Sequence, residues 1–514
     1  MKAQASHTAE DPHLLSSMCA LRQGTADELF ADPQDQDREQ APTVRKALRE
    51  RLVSVPSDAE LEVIAKELHL QSRPLHALPP ARLWPAHFTR SWLEATQDFT
   101  AQLKAALDDG SDLAMLQIVL DFSELTSRVF LPLLEEDKKK KEKQAEKSKD
   151  TPTSTIPDPL PNSERVNPQQ EAAKKRAYED LWAKAMQTLL SNGIAPANEQ
   201  TLQQMSDMHI KRTKELKLHA PGPDKVTVTA ERAKTFLYKE AGLDHTCMDV
   251  FGWATDFLFP VRNTPFLRQV ARLCARIASA DVPDCVAQLL TCGGLLALHK
   301  ESPKQQAARA ARGLKPKLRP VNIGSALLKW SFKCALRQQA PQDTAKSLKH
   351  QLGLGAVRGV ERMAHLFAAL WNKGYATVGI DFENGFNATL RQAMLDAVHK
   401  RCYKLTPLVN KFYTRDSLCF FVVDGEARVV LSQEGARMGC VLGSFAFDCV
   451  VEDIYEGAQT LVPEAVVRAL TDDLNTAVPP QETVQEQLRV CGQLFTSIRS
   501  HEVAPTSTVW QAWR

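Results

Sequence analysis

The segment "RALTDDLNTAVPP" (468–480) sets Asp472 and Asp473 side by side between two short apolar runs. Two carboxylates about 4 Å apart repel by about 4 kcal/mol at an effective dielectric of ~20, so the pair needs water, a proton or a cation. As the polar tip of a hairpin it needs only water, because Asp is a common turn residue. A third carboxylate enlarges the chemistry on offer. Asp381 closes the β-branched run "YATVGID" (375–381), 91 residues before Asp472. If the strands carrying them are neighbours in one sheet, three carboxylates meet at its edge. Oxygen-only ligands suit Mg²⁺, which keeps waters and takes its remaining positions from a substrate phosphate. Two such ions about 3.5–4 Å apart activate an attacking hydroxyl and stabilise a leaving pyrophosphate in an in-line displacement, which is nucleotidyl transfer.

The elements that must position these residues follow from periodicity between 370 and 500. "YATVGID" reads as a strand, and "NATLRQAMLDAVHKRC" as a helix with Asn387 at its N-cap. "LCFFVVDGEARVVLSQE" reads as a hairpin turning at Asp424-Gly425, and "GCVLGSFAFDCVVEDIYEGAQTL" as an apolar helix entered through glycines. "EAVVRAL", the Asp pair and "LNTAV" form a second hairpin, followed by the helix "PQETVQEQLRVCGQLFTSIRS". The order predicts an α+β domain, an antiparallel sheet backed by helices.

The 514 residues, 43% of them hydrophobic, can bury at least one sizeable core. The net charge of +2 conceals segregation: from Lys300 to Lys349 twelve basic residues face two acidic ones, a candidate polyanion surface. Eleven scattered cysteines form no CxxC pair and no zinc spacing, and no apolar signal segment follows Met1, so an intracellular compartment, nucleus or cytoplasm, is expected. No apolar run approaches 18 residues, which predicts no membrane span.

Composition divides the chain further. Residues 1–82 read as a mobile leader and 83–134 as a small helical module of two helices joined at "DDGSD". The charge-dense, then Pro/Ser-rich stretch 135–170 reads as a linker. Its Lys138–Lys141 cluster is either a solvated charge run or a nucleic-acid or nuclear-address patch. Residues 171–284 read as helical and basic, 285–374 as a second segment rich in positive charge, and 375–514 as the α+β domain.

Four segments in order resemble the reverse transcriptases, particularly those of non-LTR-type retroelements and related eukaryotic mobile elements. "GIDFENGFNATLRQAML" is similar to the first palm motif, an Asp followed five residues later by an aromatic, here Asp381 and Phe386. "SQEGARMGCVLGSFAF" resembles the Gly-rich loop that supports the templating base and incoming nucleotide, carried by Gly435, Arg437 and Gly439. "ALTDDLN" resembles the Asp-Asp hairpin, and "LKPKLRPVNIGSALLKWSFKC" the fingers segment whose Arg before Pro contacts the triphosphate, here Arg319.

The resemblance spans 285–510 and implies a right-hand polymerase, with fingers over 285–374 and palm over 375–514, a mainly helical region before them and no room for a thumb. It implies Asp381 and Asp472 as ligands of two Mg²⁺ ions, for which Mn²⁺ can substitute, with Asp473 tuning charge beside them. Phe386 would pack under the sugar and exclude a 2′-hydroxyl, selecting deoxynucleotides. Arg319 would hold phosphate oxygens in a bidentate grip, with Lys315 and Lys317 as point charges nearby, unless those two lysines only solvate a loop. The implied partners are an RNA template, a DNA primer or product, and dNTPs.

The chain departs from the family pattern at Met438, Leu470, Asn387 and Ser507, where Gln, an aromatic, a carboxylate and Lys are usual. The metal ligands are unaffected by these changes. Two alternatives remain open: an RNA-dependent RNA polymerase, and a non-catalytic nucleic-acid-binding remnant of a reverse transcriptase.

Overall fold

The computed structural model describes residues 54–78, 81–149, 192–220, 222–241, 248–382, 384–483, 485–487, 489–493 and 508–512. The expected leader over 1–53, the linker over 150–170, the helix over 171–191 and Ser507 lie outside those residues. The helices used below are α1 (Asp58–Ser72), α2 (Ala86–Asp109), α3 (Asp112–Lys149), α4 (Glu199–Asp207), α5 (Pro265–Ala278), α6 (Ala326–Leu336), α7 (Gly359–Asn372), α8 (Arg391–Cys402) and α9 (Val441–Leu461). The strands are β1 (Gly293–His299), β2 (Leu318–Gly324), β3 (Ala376–Phe382), β4 (Ser417–Val423), β5 (Glu426–Ser432), β6 (Val466–Leu470), β7 (Asp473–Val478) and β8 (Thr508–Ala512).

The N-terminal helices belong to the main body. The Ser57 side chain accepts from the Glu60 amide while Glu60 reaches back to Ser57, a capping box that starts α1. α1 then buries Leu61 and Ala65, so the mobile leader does not extend over 58–78. α2 and α3 are not a separate module either. Their aromatic stripes face α5 and the loop around Trp253: the Trp92 indole N–H donates to the Phe257 carbonyl at 2.9 Å, and that of Trp253 to the Phe122 carbonyl at 2.8 Å. The Phe122 and Trp253 rings stack at 4.2 Å. Burying each such side chain contributes about 1.5–3 kcal/mol, which two helices alone could not realise for both faces.

Two boundaries also move. α3 continues to Lys149, past the linker start expected at 135, because "EEDKKKKEKQAEKSK" consists largely of good helix formers and aligns Lys140 with Glu136 and Lys138 with Glu142 one turn apart. After α4, residues 209–220 and 222–228 form a strap with neither helix nor strand, where a helix is expected. Proline at 221 and 223 with Gly222 interrupts helix formation there. The Gln392 side chain on α8 holds the strap by accepting from the Lys217 N–H at 2.7 Å and donating to its carbonyl at 3.1 Å.

The strands form two four-stranded sheets, ordered β2-β1-β4-β5 and β6-β7-β3-β8. Both expected hairpins are present, yet they do not share one sheet. The β4–β5 hairpin joins β1 through a parallel pairing of Gly293 with Cys419 and Gly294 with Phe420. Strands on either side of residue 374 therefore pair with each other. Local turn signals specify a hairpin but not the edge it joins. Among the described residues no helix is long and apolar enough to cross a membrane.

Candidate active site

The second sheet decides where the carboxylates stand. β3 and β7 are antiparallel neighbours with Ile380 opposite Leu474 and Asp381 opposite Asp473. Directly opposed Cα atoms in such a pair are about 5 Å apart. β6 and β7 pair with Leu470 opposite Asp473, leaving Thr471 and Asp472 as a two-residue turn. Alternation then sorts the faces: Val378, Ile380, Val467, Ala469, Leu474 and Thr476 are buried, while Asp473 is exposed and Asp472 half-buried. The register thus brings Asp381, Asp472 and Asp473 to one end of the sheet. The Asp381 side chain lies outside the described residues.

The turn has an unusual backbone. Thr471 has φ 60 and Asp472 does not share the left-handed region, the pattern of a turn whose first central residue is normally Gly. A β-branched residue there stores about 1–3 kcal/mol, which surrounding contacts must offset.

Beneath the turn, α9 carries two buried acidic residues that its apolar period does not announce. Asp448 and Glu452 are 2% and 0% exposed. Burial, followed by the neighbouring charges of Asp472 and Glu452, holds the Asp448 carboxyl well above the usual carboxylate range. Burial and the same acidic neighbours raise the Tyr455 hydroxyl. Glu452 accepts from the His350 ring at 2.9 Å and from the His350 amide at 3.2 Å. Asp448 Oδ1 and Glu452 Oε2 are buried without a hydrogen-bond partner among the described residues. The available signal was three carboxylates in a largely apolar stretch, "AFDCVVEDIY", of which Asp448 and Glu452, four apart, share the buried face, a pattern that a core helix does not need.

Asp448, Glu452, Asp472 and Asp473 offer only oxygen donors, the kind that suit a hard divalent cation such as Mg²⁺. Among the described residues no three His, Cys, Asp or Glu side chains converge as a metal cage.

The loop before α9 is built against the turn that follows β3. The Gly435 N–H donates to the Thr389 carbonyl at 2.8 Å and the Ala436 N–H to the Phe386 carbonyl at 2.7 Å. Gly435 has φ 78, and a Cβ there would stand 2.5 Å from Asn387 Cα and O; only glycine fits. Phe386 is half-buried and stacks on Phe447 of α9 at 4.6 Å. At the far end of the loop, a Cβ on Gly439 would meet the Asn322 carbonyl of β2 at 2.9 Å, so this loop runs from the turn after β3 to the first sheet.

Two expectations change here. Arg437 is buried: its Nη1 donates to the Phe412 carbonyl at 2.9 Å and to Ser417 Oγ at 2.8 Å, and its guanidinium lies over the Tyr413 ring. It anchors the loop from inside and does not present its charge to a substrate. Asn387 does not cap α8. Its amide donates to Asn384 Oδ1, while the first N–H of α8, on Arg391, donates to Glu434 Oε2 at 2.6 Å. The cap comes from the Gly-rich loop across the fold.

Arg319 is exposed on β2, opposite Leu298 of β1, and Lys315 and Lys317 are exposed just before it. Among the described residues the Arg319 guanidinium has no ion-pair or hydrogen-bond partner. The structure places Arg319 on the first sheet, with Lys315 and Lys317 in the segment leading into it, and the carboxylates on the second.

No family model and no curated protein matches the chain. Among solved structures, apo telomerase from Candida tropicalis, truncated from its C-terminal domain, aligns at 10% identity with a TM-score of 0.30. The alignment covers 44% of this chain and 50% of that one, so this chain spans about half the length of that structure. The functional reading below rests on the chain's own residues.

Proposed function

We propose that the chain is an RNA-directed DNA polymerase of retroelement type, transferring deoxynucleotides to a primer on an RNA template. The observation that carries this reading is the register that sets Asp381 opposite Asp473, with Asp472 in the adjoining turn. Two Mg²⁺ ions, or Mn²⁺ in their place, would supply hydroxyl activation and stabilisation of the leaving pyrophosphate. Asp381 and Asp472 would hold them. Asp473, exposed at the same end of the sheet, adds negative charge that favours cations there. Phe386, held by its stack on Phe447, would offer a flat apolar surface under the sugar, against which a 2′-hydroxyl would clash. Arg319, with Lys315 and Lys317, is free to receive the triphosphate. Arg437 takes no part in substrate contact and fixes the loop that carries Gly435 and Gly439.

The test is primer extension on an RNA template with dNTPs and Mg²⁺, comparing wild type with Asp472→Ala at matched folding and template affinity. Extension by the wild type alone supports the reading. Template binding without extension by either protein overturns it in favour of a binding remnant, and extension with rNTPs in preference to dNTPs moves it to RNA synthesis.

A further inference from the structure

Resting on the polymerase reading, we propose that Gln351 is the positioning residue that holds the Asp472 turn in its metal-binding form. The Gln351 side-chain carbonyl accepts from the Thr471 N–H at 3.0 Å, and its NH₂ donates to the Thr471 carbonyl at 3.1 Å. One amide therefore grips both backbone groups of the residue that carries φ 60. The Tyr455 hydroxyl donates to the same carbonyl at 3.4 Å.

The grip is itself anchored. Residues 350–352 run alongside β6: the Ala469 N–H donates to the His350 carbonyl and the Leu352 N–H to the Ala469 carbonyl, each at 2.8 Å. His350 is tied to Glu452 of α9 through its ring and its amide. Gly353 lets this segment close on the turn, because a Cβ there would stand 2.9 Å from Thr471 Oγ1 and 3.1 Å from Thr471 N. α9, the 350–353 segment and the turn thus form one support.

Chemistry favours an amide at this position. A neutral side chain can donate and accept at once, and it adds no charge beside three carboxylates. Glutamate could accept from the Thr471 N–H but could not donate to the carbonyl, and would add a like charge. Thr471 is thereby kept in a conformation that it does not prefer, and Asp472 is kept where the following strand begins.

The experiment uses the full chain labelled with ¹⁵N-threonine and compares wild type, Gln351→Leu and Gln351→Leu/Thr471→Gly. Three readouts apply: exchange of the Thr471 amide, Mn²⁺ affinity from the free-ion electron paramagnetic resonance signal, and the kcat and KM of primer extension. Gln351→Leu is expected to speed Thr471 exchange at least about 10-fold and to weaken Asp472-dependent Mn²⁺ binding about 10–100-fold. kcat should fall by a similar factor while the KM for template-primer is unchanged. Thr471→Gly should restore most of the Mn²⁺ affinity, because glycine adopts a positive φ unaided. Gln351→Glu, nearly isosteric, carries the same comparison if the leucine variant does not fold.

Lost Thr471 protection with Mn²⁺ affinity and kcat within about 2-fold of wild type overturns the positioning role. A wild type whose Mn²⁺ binding is indifferent to Asp472→Ala overturns the polymerase reading first, and the positioning role with it; the exchange result then confines Gln351 to holding the fold.

Discussion

The two hairpins close with two residues each and solve the same geometric problem in opposite ways. β4–β5 turns through Asp424 and Gly425, with φ 50 and 83, residues that enter the left-handed region at little cost. β6–β7 turns through Thr471 and Asp472, where the left-handed residue is β-branched and is held by Gln351 and Tyr455. The first turn is explained by local propensity. The second keeps a carboxylate beside a strained residue that only a supporting segment holds in place.

The largest predicted contrast is functional. Asp472→Ala should lower primer extension by about 10³-fold, equivalent to about 4 kcal/mol of transition-state stabilisation. Asp424→Ala in the other turn should leave extension unchanged in the same assay. Equal losses from both would erase the distinction between the hairpins.

Support is tested next. Gly353→Ala should cost about 2 kcal/mol in urea unfolding, since its Cβ would stand 2.9 Å from Thr471 Oγ1. Gly425→Ala, at φ 83, should cost about 1 kcal/mol for its left-handed backbone. A Gly353 cost at or below that of Gly425 would mean the 350–353 segment yields easily and supports little.

Protonation separates the two sheets by sign. His69 stacks on Phe420 of β4, and burial holds its imidazole below the ordinary histidine range. The folded state therefore refuses a proton that the unfolded chain accepts, and this stability is lost as pH falls below about 6.5, by at most about 1.4 kcal/mol per pH unit. His69→Leu should flatten the stability profile between pH 7 and 5.5. Asp448, raised by burial and its acidic neighbours, acts in the opposite sense: its contribution is greatest below the ordinary carboxylate pKa and declines as pH rises through its raised value. With a chelator present, Asp448→Asn should gain stability relative to wild type as pH increases. Parallel pH slopes for the two variants would contradict these assignments.

The smallest effect belongs to the strained residue itself. Thr471→Gly should stabilise by about 0.5 kcal/mol, the relief of φ strain less the added entropy of an unfolded glycine. Asp424→Gly, with less strain to relieve, should not stabilise the protein, and thermal unfolding of both variants measures the difference.

Much of the site was legible because its signals are local. The β-branched run ending at Asp381, the Asp pair between short apolar runs, and the glycines before an apolar helix each declare an element within a dozen residues. Other signals were legible but misleading. The Lys-rich stretch after residue 135 resembles a linker by charge, although its helix propensity and one-turn ion pairs carry α3 to Lys149. Arg437 resembled a substrate contact through its place in the Gly-rich loop, and only the carbonyl of Phe412 and the hydroxyl of Ser417 explain why it is buried.

The sequence by itself determined the hairpins, the main helices and the residue types that could hold a divalent cation, because turn chemistry and apolar period act over short distances. Only the tertiary structure decided that the β4–β5 hairpin belongs to the first sheet, that Asp381 stands opposite Asp473, and that Gln351 reaches Thr471 across 120 positions of chain. Register, strand order and the support of a strained turn depend on which surfaces exclude water together, and no local stretch of sequence contains that information.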